Sequence, residues 1–121
     1  MRDNNSVIST SKKGEKHSEP LNDSFVNYLY SITKLSESSV KKYLRDLKIV
    51  RKLFLQYLGI DIKCEVIEII DYKYLKEITD LLYANQDFME FNQKKHHHFS
   101  APLNKYLEYL AYNNNSFEFD D

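Results

Sequence analysis

The chain has 121 residues, of which 42% are hydrophobic and 29% are charged, and its formal net charge is -1. This composition is typical of one globular domain and unlike that of a disordered chain. Two Gly and two Pro exclude a glycine-rich phosphate loop and leave little turn chemistry for an all-β fold. Because the net charge is close to zero, any contact with nucleic acid must come from a local basic face.

The single cysteine, Cys64, cannot form an internal disulfide or supply a cysteine-based zinc cage. The N-terminus lacks the apolar segment of a signal peptide, and charged residues interrupt every apolar stretch well before the roughly 20 residues that span a bilayer. We therefore expect a cytoplasmic protein that is not inserted in a membrane.

The two ends of the chain are polar. Residues 1–20 are rich in Ser, Asn, Lys and Glu with almost no apolar pattern, so ordering them would cost more entropy than burial could offset. Residues 113–121 are similarly polar. The composition predicts a helical domain over residues 21–112 with a flexible tail on each side.

The first predicted helix begins at the cluster of N-cap residues at positions 22–24 and ends near Lys34. Phe25, Leu29 and Ile32 lie about one turn apart, which predicts a buried stripe.

The longest helical pattern runs from Ser36, a good N-cap residue, to Gly59, which suits the position just after a helix. At about 100° per residue, one side of this helix is apolar and the opposite side is basic. The apolar side consists of Val40, Tyr43, Leu47, Val50, Phe54 and Leu58. The opposite side, which we call the basic ridge, consists of Lys41, Arg45, Lys48 and Lys52.

Residues 60–70 connect this helix to the next, and in them a short extended piece competes with a helical turn. Asp71 can cap a third helix that continues to about Tyr83, and a shorter turn is predicted around residues 88–91. The side chains predicted to face inward from the third helix are Leu75, Ile78, Leu81 and Leu82.

The last predicted helix is capped by Ser100 and tolerates Pro102 because the proline lies in the first turn. Its inward residues are Leu103, Tyr106, Leu107 and Leu110. The tyrosines at helical spacing, which include Tyr43, Tyr57 and Tyr109, are assigned to packing. The pattern as a whole predicts an all-α fold, a small bundle of four to five helices.

The basic ridge is the clearest candidate site, because cationic side chains at one-turn intervals can meet successive DNA phosphates. A solvated helix face is the alternative. Since Glu37 and Asp46 lie off the ridge, we expect little local neutralisation of its charge. If four to six phosphates are neutralised, the log–log slope of affinity against salt should be about -4 to -5.

A second basic run, Lys94, Lys95 and the histidines at 96–98, precedes the last helix. Adjacent histidines in a loop rarely converge on one metal ion without further ligands placed by the fold. We expect an exposed loop and no metal site. The carboxylates form no conspicuous pair, and no histidine lies near Cys64 in sequence, so we expect no enzyme active site and no cofactor.

Two stretches carry a family resemblance. The segment SFVNYLYSITKLSESSVKKYLRDLKIVRKLFLQYL resembles the opening of the SAM-like core-binding domain of tyrosine recombinases and phage integrases. The segment FMEFNQKKHHHFSAPLNKYLEYL is similar to the closing helix of that domain, and more closely to the end of a helical N-terminal module of some restriction endonucleases. Nothing in the chain matches the Arg, His and Tyr catalytic signature of a recombinase, or a nuclease motif.

The resemblance implies a SAM-like, integrase core-binding-type bundle that grips double-stranded DNA. The expected function is therefore a non-catalytic DNA-binding accessory module, associated with a mobile element or a restriction system. Mapped onto this sequence, the contacting residues are Ser38, Lys41, Lys42, Arg45, Lys48, Lys52, Lys94 and Lys95. The competing hypothesis is a protein-interaction or self-association module that binds no nucleic acid.

Overall fold

The computed structural model describes residues 22–119, and side chains over residues 22–113. The described chain is all-α, with five α-helices, one 3-10 turn and no strand. The helices are α1 (Asp23–Ser31), α2 (Glu37–Leu58), α3 (Tyr72–Ala84), α4 (Gln86–Lys94) and α5 (Ser100–Phe119), and the 3-10 turn spans Val66–Glu68. The predicted all-α bundle is confirmed. The tail predicted over residues 1–20 lies outside the described residues.

Helix α1 begins where the N-cap cluster predicts, because the Asn22 side chain accepts a hydrogen bond from the Phe25 amide at 3.0 Å. Phe25 and Leu29 are fully buried, whereas Ile32 is 53% exposed, so the prediction that Ile32 extends the buried stripe is wrong. The helix ends at Ser31 and the chain turns away at Ile32. Leu35 packs against the core in its place.

Helix α2 has the predicted ends. The Ser36 side chain accepts a hydrogen bond from the Ser39 amide, and Gly59 adopts the left-handed conformation with φ of 69°. A residue with a Cβ would be strained at this φ, which explains the glycine. Four residues of the predicted apolar side are buried, Tyr43 and Leu58 are half-buried, and Leu53 is also buried.

The connector between α2 and α3 contains a single 3-10 turn rather than an extended strand. Glu68 stabilises the start of this turn, because the Glu65 amide donates to the Glu68 carboxylate at 2.8 Å. Val66 and Ile67 are buried. These buried β-branched residues therefore cover the core and do not form a strand.

Helix α3 is capped by Asp71 and ends at Ala84, one residue beyond the predicted Tyr83. Leu75, Ile78 and Leu82 are buried, but Leu81 is 53% exposed, and its predicted inward position is wrong. Leu81 lies about 100° around the helix from Leu82, on a side that no helix of the described residues covers.

Asn85 caps α4, which extends the turn predicted at 88–91 to nine residues. Helix α5 begins at Ser100 and buries the four predicted residues together with Tyr109. It continues to Phe119, past position 112, where we placed the end of the helical domain.

The core forms where α5 packs against α1, α2 and α3. Tyr106 is its largest fully buried side chain, and its ring lies 4.8 Å from that of Phe25 in an edge-to-face arrangement. The Tyr106 hydroxyl donates to the carbonyl oxygens of Ile67 and Ile69, at 3.0 and 2.7 Å. Asn22 donates to the Ile67 carbonyl at 2.9 Å. Tyr106 thus joins the connector, α1 and α5. These are the elements that pack around α2, so Tyr106 helps to position α2. The assignment of Tyr106 to packing is confirmed.

Candidate nucleic-acid interface

The basic ridge lies on the solvent side of α2, because the opposite side of this amphipathic helix is committed to the core. The side chains of Lys41 and Arg45 are 71% and 68% exposed. Lys52 is also exposed, and Lys48 is half-buried at the rim of a small cavity beside Glu65. With a rise of about 1.5 Å per residue, the ridge is roughly 16 Å long.

Ser38 lies at the start of the same exposed face. Its hydroxyl is 3.2 Å from that of Ser36, the residue that caps α2. Ser38 therefore belongs to a hydrogen-bonded serine group at the N-terminal end of the ridge. The structure thus brings Ser38 and the four ridge residues together on one helix face.

Two carboxylates neutralise part of this face, contrary to our expectation. Glu37 pairs with Lys41 at 3.2 Å. Asp46 pairs with Lys42 at 2.8 Å and lies 3.9 Å from the Arg45 guanidinium. Glu37 lies one turn before Lys41, only about 40° around the helix, and Lys42 and Asp46 are likewise four positions apart, so each pair is in contact on the helix surface. Arg45 and Asp46 are adjacent in sequence.

Asp46 differs from an ordinary surface carboxylate because it is only 5% exposed. Its ion pair holds Lys42, whose side chain is 37% exposed, against the body of the helix. Lys42 is thus less available to an external phosphate than the sequence suggests.

The structure also explains a cation that the sequence analysis did not single out. The Arg51 guanidinium donates to the Glu65 carboxylate at 2.8 Å, and this ion pair joins α2 to the connector. Only the fold brings these two residues together, so no sequence pattern could have revealed the pair. Arg51 therefore has a structural role beside the ridge.

After these pairings, α2 remains the basic element of the described chain. It carries six cationic and two acidic side chains, a net charge of +4. The rest of residues 22–113 carry seven cationic and ten acidic side chains, a net charge of -3. A ligand with negative charge would therefore be attracted to α2 more strongly than to the rest of residues 22–113 taken together.

Lys94 and Lys95 are exposed at the end of α4, and the structure does not place them with the ridge. Phe91 of α4 lies near Tyr57 of α2, with 6.1 Å between the ring centroids. Tyr57 lies about 140° around α2 from Lys52. The Lys95 ammonium lies over the Phe91 ring at 5.9 Å. The two lysines thus form a separate basic patch.

The histidine run forms the exposed turn that the sequence predicts. His96 and His97 both adopt positive φ values, 53° and 62°. Buried Asn92 holds the turn, since its side chain donates to the Ser100 hydroxyl at 2.9 Å and accepts from the Ser100 amide at 3.3 Å. Within the described residues, no group of three or more His, Cys, Asp or Glu side chains could hold a metal ion.

Cys64 is half-buried in the connector. Burial raises the pKa of its thiol, and the Glu68 carboxylate raises it further. This environment disfavours the thiolate, the form in which a cysteine acts as a nucleophile.

Comparison of the chain with protein-family models, with curated proteins and with solved structures gives no match. Within the described part of the chain, no helix combines the length and the apolar character needed to cross a membrane.

Proposed function

We propose that this protein is a non-catalytic DNA-binding accessory module that contacts the backbone of duplex DNA through the basic ridge of α2. The observation that carries the proposal is the charge asymmetry: α2 has a net charge of +4, whereas the rest of residues 22–113 have a net charge of -3. Such a local field attracts a polyanion to one face although the whole chain is nearly neutral.

The dimensions of the ridge support this proposal. Its length of roughly 16 Å corresponds to about five base pairs of duplex, at 3.4 Å per step along each strand. Lys42 and Arg51 lie beside the ridge and are engaged by Asp46 and Glu65, and Glu37 offsets part of the charge of Lys41 within the ridge, so we expect fewer phosphate contacts than the four to six of the sequence analysis. The expected log–log slope of affinity against salt is about -3 to -4, shallower than the sequence suggested.

The family resemblance supports the same face and adds a biological setting. In the modules that this sequence resembles, the long helix after the serine-containing turn lies near the DNA backbone. Here that helix is α2, which follows Ser36. We propose a SAM-like, integrase-type module that serves a mobile element or a restriction system. Lys94 and Lys95 would then form a second, separate contact with the backbone.

A fluorescence titration with a labelled duplex tests the proposal. Lys41→Glu/Arg45→Glu reverses two ridge charges and should weaken binding at low salt by at least about tenfold. The matched control is Lys76→Glu/Lys105→Glu on α3 and α5, because each of these lysines also loses an ion pair within its own helix. Its change in net charge is the same, but both substitutions lie off the ridge, so the control should retain affinity within a few-fold.

Equal losses in the two variants would show that only net charge matters and would overturn the assignment to the ridge. Unchanged binding by Lys41→Glu/Arg45→Glu would also overturn the assignment to the ridge. Circular dichroism confirms that each variant remains helical before it is titrated.

The competing hypothesis, an interaction module, is favoured by a different observation on a different helix. Helix α3 leaves apolar side chains exposed, Tyr74 and Leu81 among them. Such side chains do not suit phosphate, but they do suit another protein surface.

A further inference from the structure

Helix α3 presents an apolar stripe to solvent. Tyr74 is 39% exposed and Leu81 is 53% exposed, and the two lie seven residues apart, on one side of the helix. Ile70, directly before the cap residue of α3, is 82% exposed, the highest value among the large apolar residues described. Together these residues form what we call the α3 stripe, which flanks the buried face of α3, since buried Ile78 lies about 40° around the helix from Tyr74.

Charged side chains of opposite sign border the stripe along one flank. Lys73 and Asp80 lie seven residues apart at almost the same angle around the helix, and both are exposed. Asp80 already accepts from the Lys76 ammonium at 2.7 Å, which holds its carboxylate at the helix surface.

This pattern is complementary to itself in one orientation. If two α3 helices pack antiparallel about a two-fold axis midway between Tyr74 and Leu81, each Tyr74 faces Leu81 of the second copy. The same operation brings Lys73 to within about two residues, or about 3 Å along the helix axis, of Asp80 of the second copy, and does so twice. A parallel arrangement would instead align like charges at the same height.

We propose that the α3 stripe is a self-association surface that binds α3 of a second copy in antiparallel orientation. The net charge of -1 produces little long-range repulsion between copies. Glu77 lies near the two-fold axis, where it meets its own copy, and one 13-residue helix offers a small contact area. The dimer is therefore weak, of the transient class with less than about 1,200 Å² buried. This proposal does not rest on DNA binding, because the stripe is on α3 and the basic ridge is on α2.

Sedimentation velocity of the full chain tests the surface. The wild type should shift from monomer toward dimer as its concentration rises from about 10 µM to about 1 mM, the range expected of a small interface. Leu81→Glu should remain monomeric throughout. Leu55→Glu is the matched control, because Leu55 on α2 is 52% exposed, nearly the same as Leu81, and this variant should still dimerise. A wild type that stays monomeric, or a loss that is equal in both variants, overturns the proposal.

Mixing two charge variants tests the orientation. Lys73→Asp and Asp80→Lys should each dimerise less than the wild type, because each places like charges opposite each other. An equimolar mixture should recover or exceed wild-type association, since both cross-helix pairs become opposite in sign in the mixed dimer. A defect in folding cannot be repaired by mixing, so a mixture no better than its components overturns the antiparallel arrangement.

Discussion

The hydroxyl of Tyr106 offers the sharpest test of how the bundle is held together. Tyr106→Phe removes only this hydroxyl, which lies 2.7 Å from the Ile69 carbonyl oxygen and 3.0 Å from that of Ile67. The Ile67 carbonyl keeps its bond from Asn22 at 2.9 Å. No other hydrogen bond reaches the Ile69 carbonyl within the described residues, so this buried acceptor loses its partner.

A buried group left unsatisfied costs about 1 to 3 kcal/mol, and we expect Tyr106→Phe to lower the free energy of unfolding by about 2 kcal/mol. For a domain of this size, that corresponds to a decrease in Tm of about 8 to 16 °C. Urea unfolding followed by circular dichroism measures the change, with an unchanged denaturant slope as the sign that only stability is affected.

Tyr109→Phe is the matched control for this substitution. Tyr109 is on the same helix and only 5% exposed, but its hydroxyl makes no hydrogen bond within the part of the chain that the structure describes. Its removal should change stability by less than about 0.5 kcal/mol. The reasoning is refuted if Tyr106→Phe is as stable as the wild type, or if the two variants lose the same amount.

Three further predictions follow from single groups. Thr79 is buried with its hydroxyl unpartnered within the described residues, so Thr79→Val should raise the unfolding free energy by about 1 kcal/mol in urea unfolding, and a decrease would contradict this. Burial raises the pKa of both Tyr83 and Tyr106 above the ordinary value of 10.0, because it favours the neutral phenol in the folded chain. Above pH 10 the unfolded chain releases these two protons and the folded chain keeps them. The free energy of unfolding is therefore unaffected by these groups below pH 10 and decreases as the pH rises above 10. Each tyrosine should contribute a slope approaching about 1.4 kcal/mol per pH unit, and an alkaline unfolding slope that is the same in Tyr106→Phe would be inconsistent with this origin. Glu37→Gln frees Lys41 and should strengthen DNA binding about two- to threefold while lowering stability by about 0.3 to 1 kcal/mol; weaker binding in a duplex titration would show that Glu37 does not compete with phosphate.

The ends of the helices could be predicted from the sequence because local chemistry determines them. Ser36 and Gly59 bound α2 as expected, and Asp71 caps α3. These signals need no knowledge of the fold, since a side-chain cap or a left-handed glycine acts within one turn.

Errors arose where local spacing competes with the path of the chain. Leu81 follows the apolar pattern but lies about 100° from Leu82, on an exposed side of α3. Ile32 continues the spacing of Phe25 and Leu29, yet the helix ends before it. Both residues are 53% exposed, which shows that an apolar pattern alone does not tell which side of a helix has a neighbour.

The place of the basic ridge on the outer face of α2 could be predicted from the sequence, but its pairing with carboxylates was not predicted. The basic ridge lies on the exposed face of α2, as the periodicity indicated. Its partial neutralisation by Glu37 and Asp46 was missed, although the four-residue spacing to Lys41 and Lys42 was visible in the sequence. The pairing of Arg51 with Glu65 could not have been foreseen, because it depends on how the connector folds back onto α2.

The salt dependence of duplex binding tests the central claim most directly. Affinity of the wild-type chain for a labelled duplex should fall with a log–log slope of about -3 to -4, and Lys41→Glu/Arg45→Glu should reduce the magnitude of that slope by about 2. Absence of binding at about 50 mM salt, or a slope that the substitution leaves unchanged, would contradict a function for the basic ridge in contacting DNA.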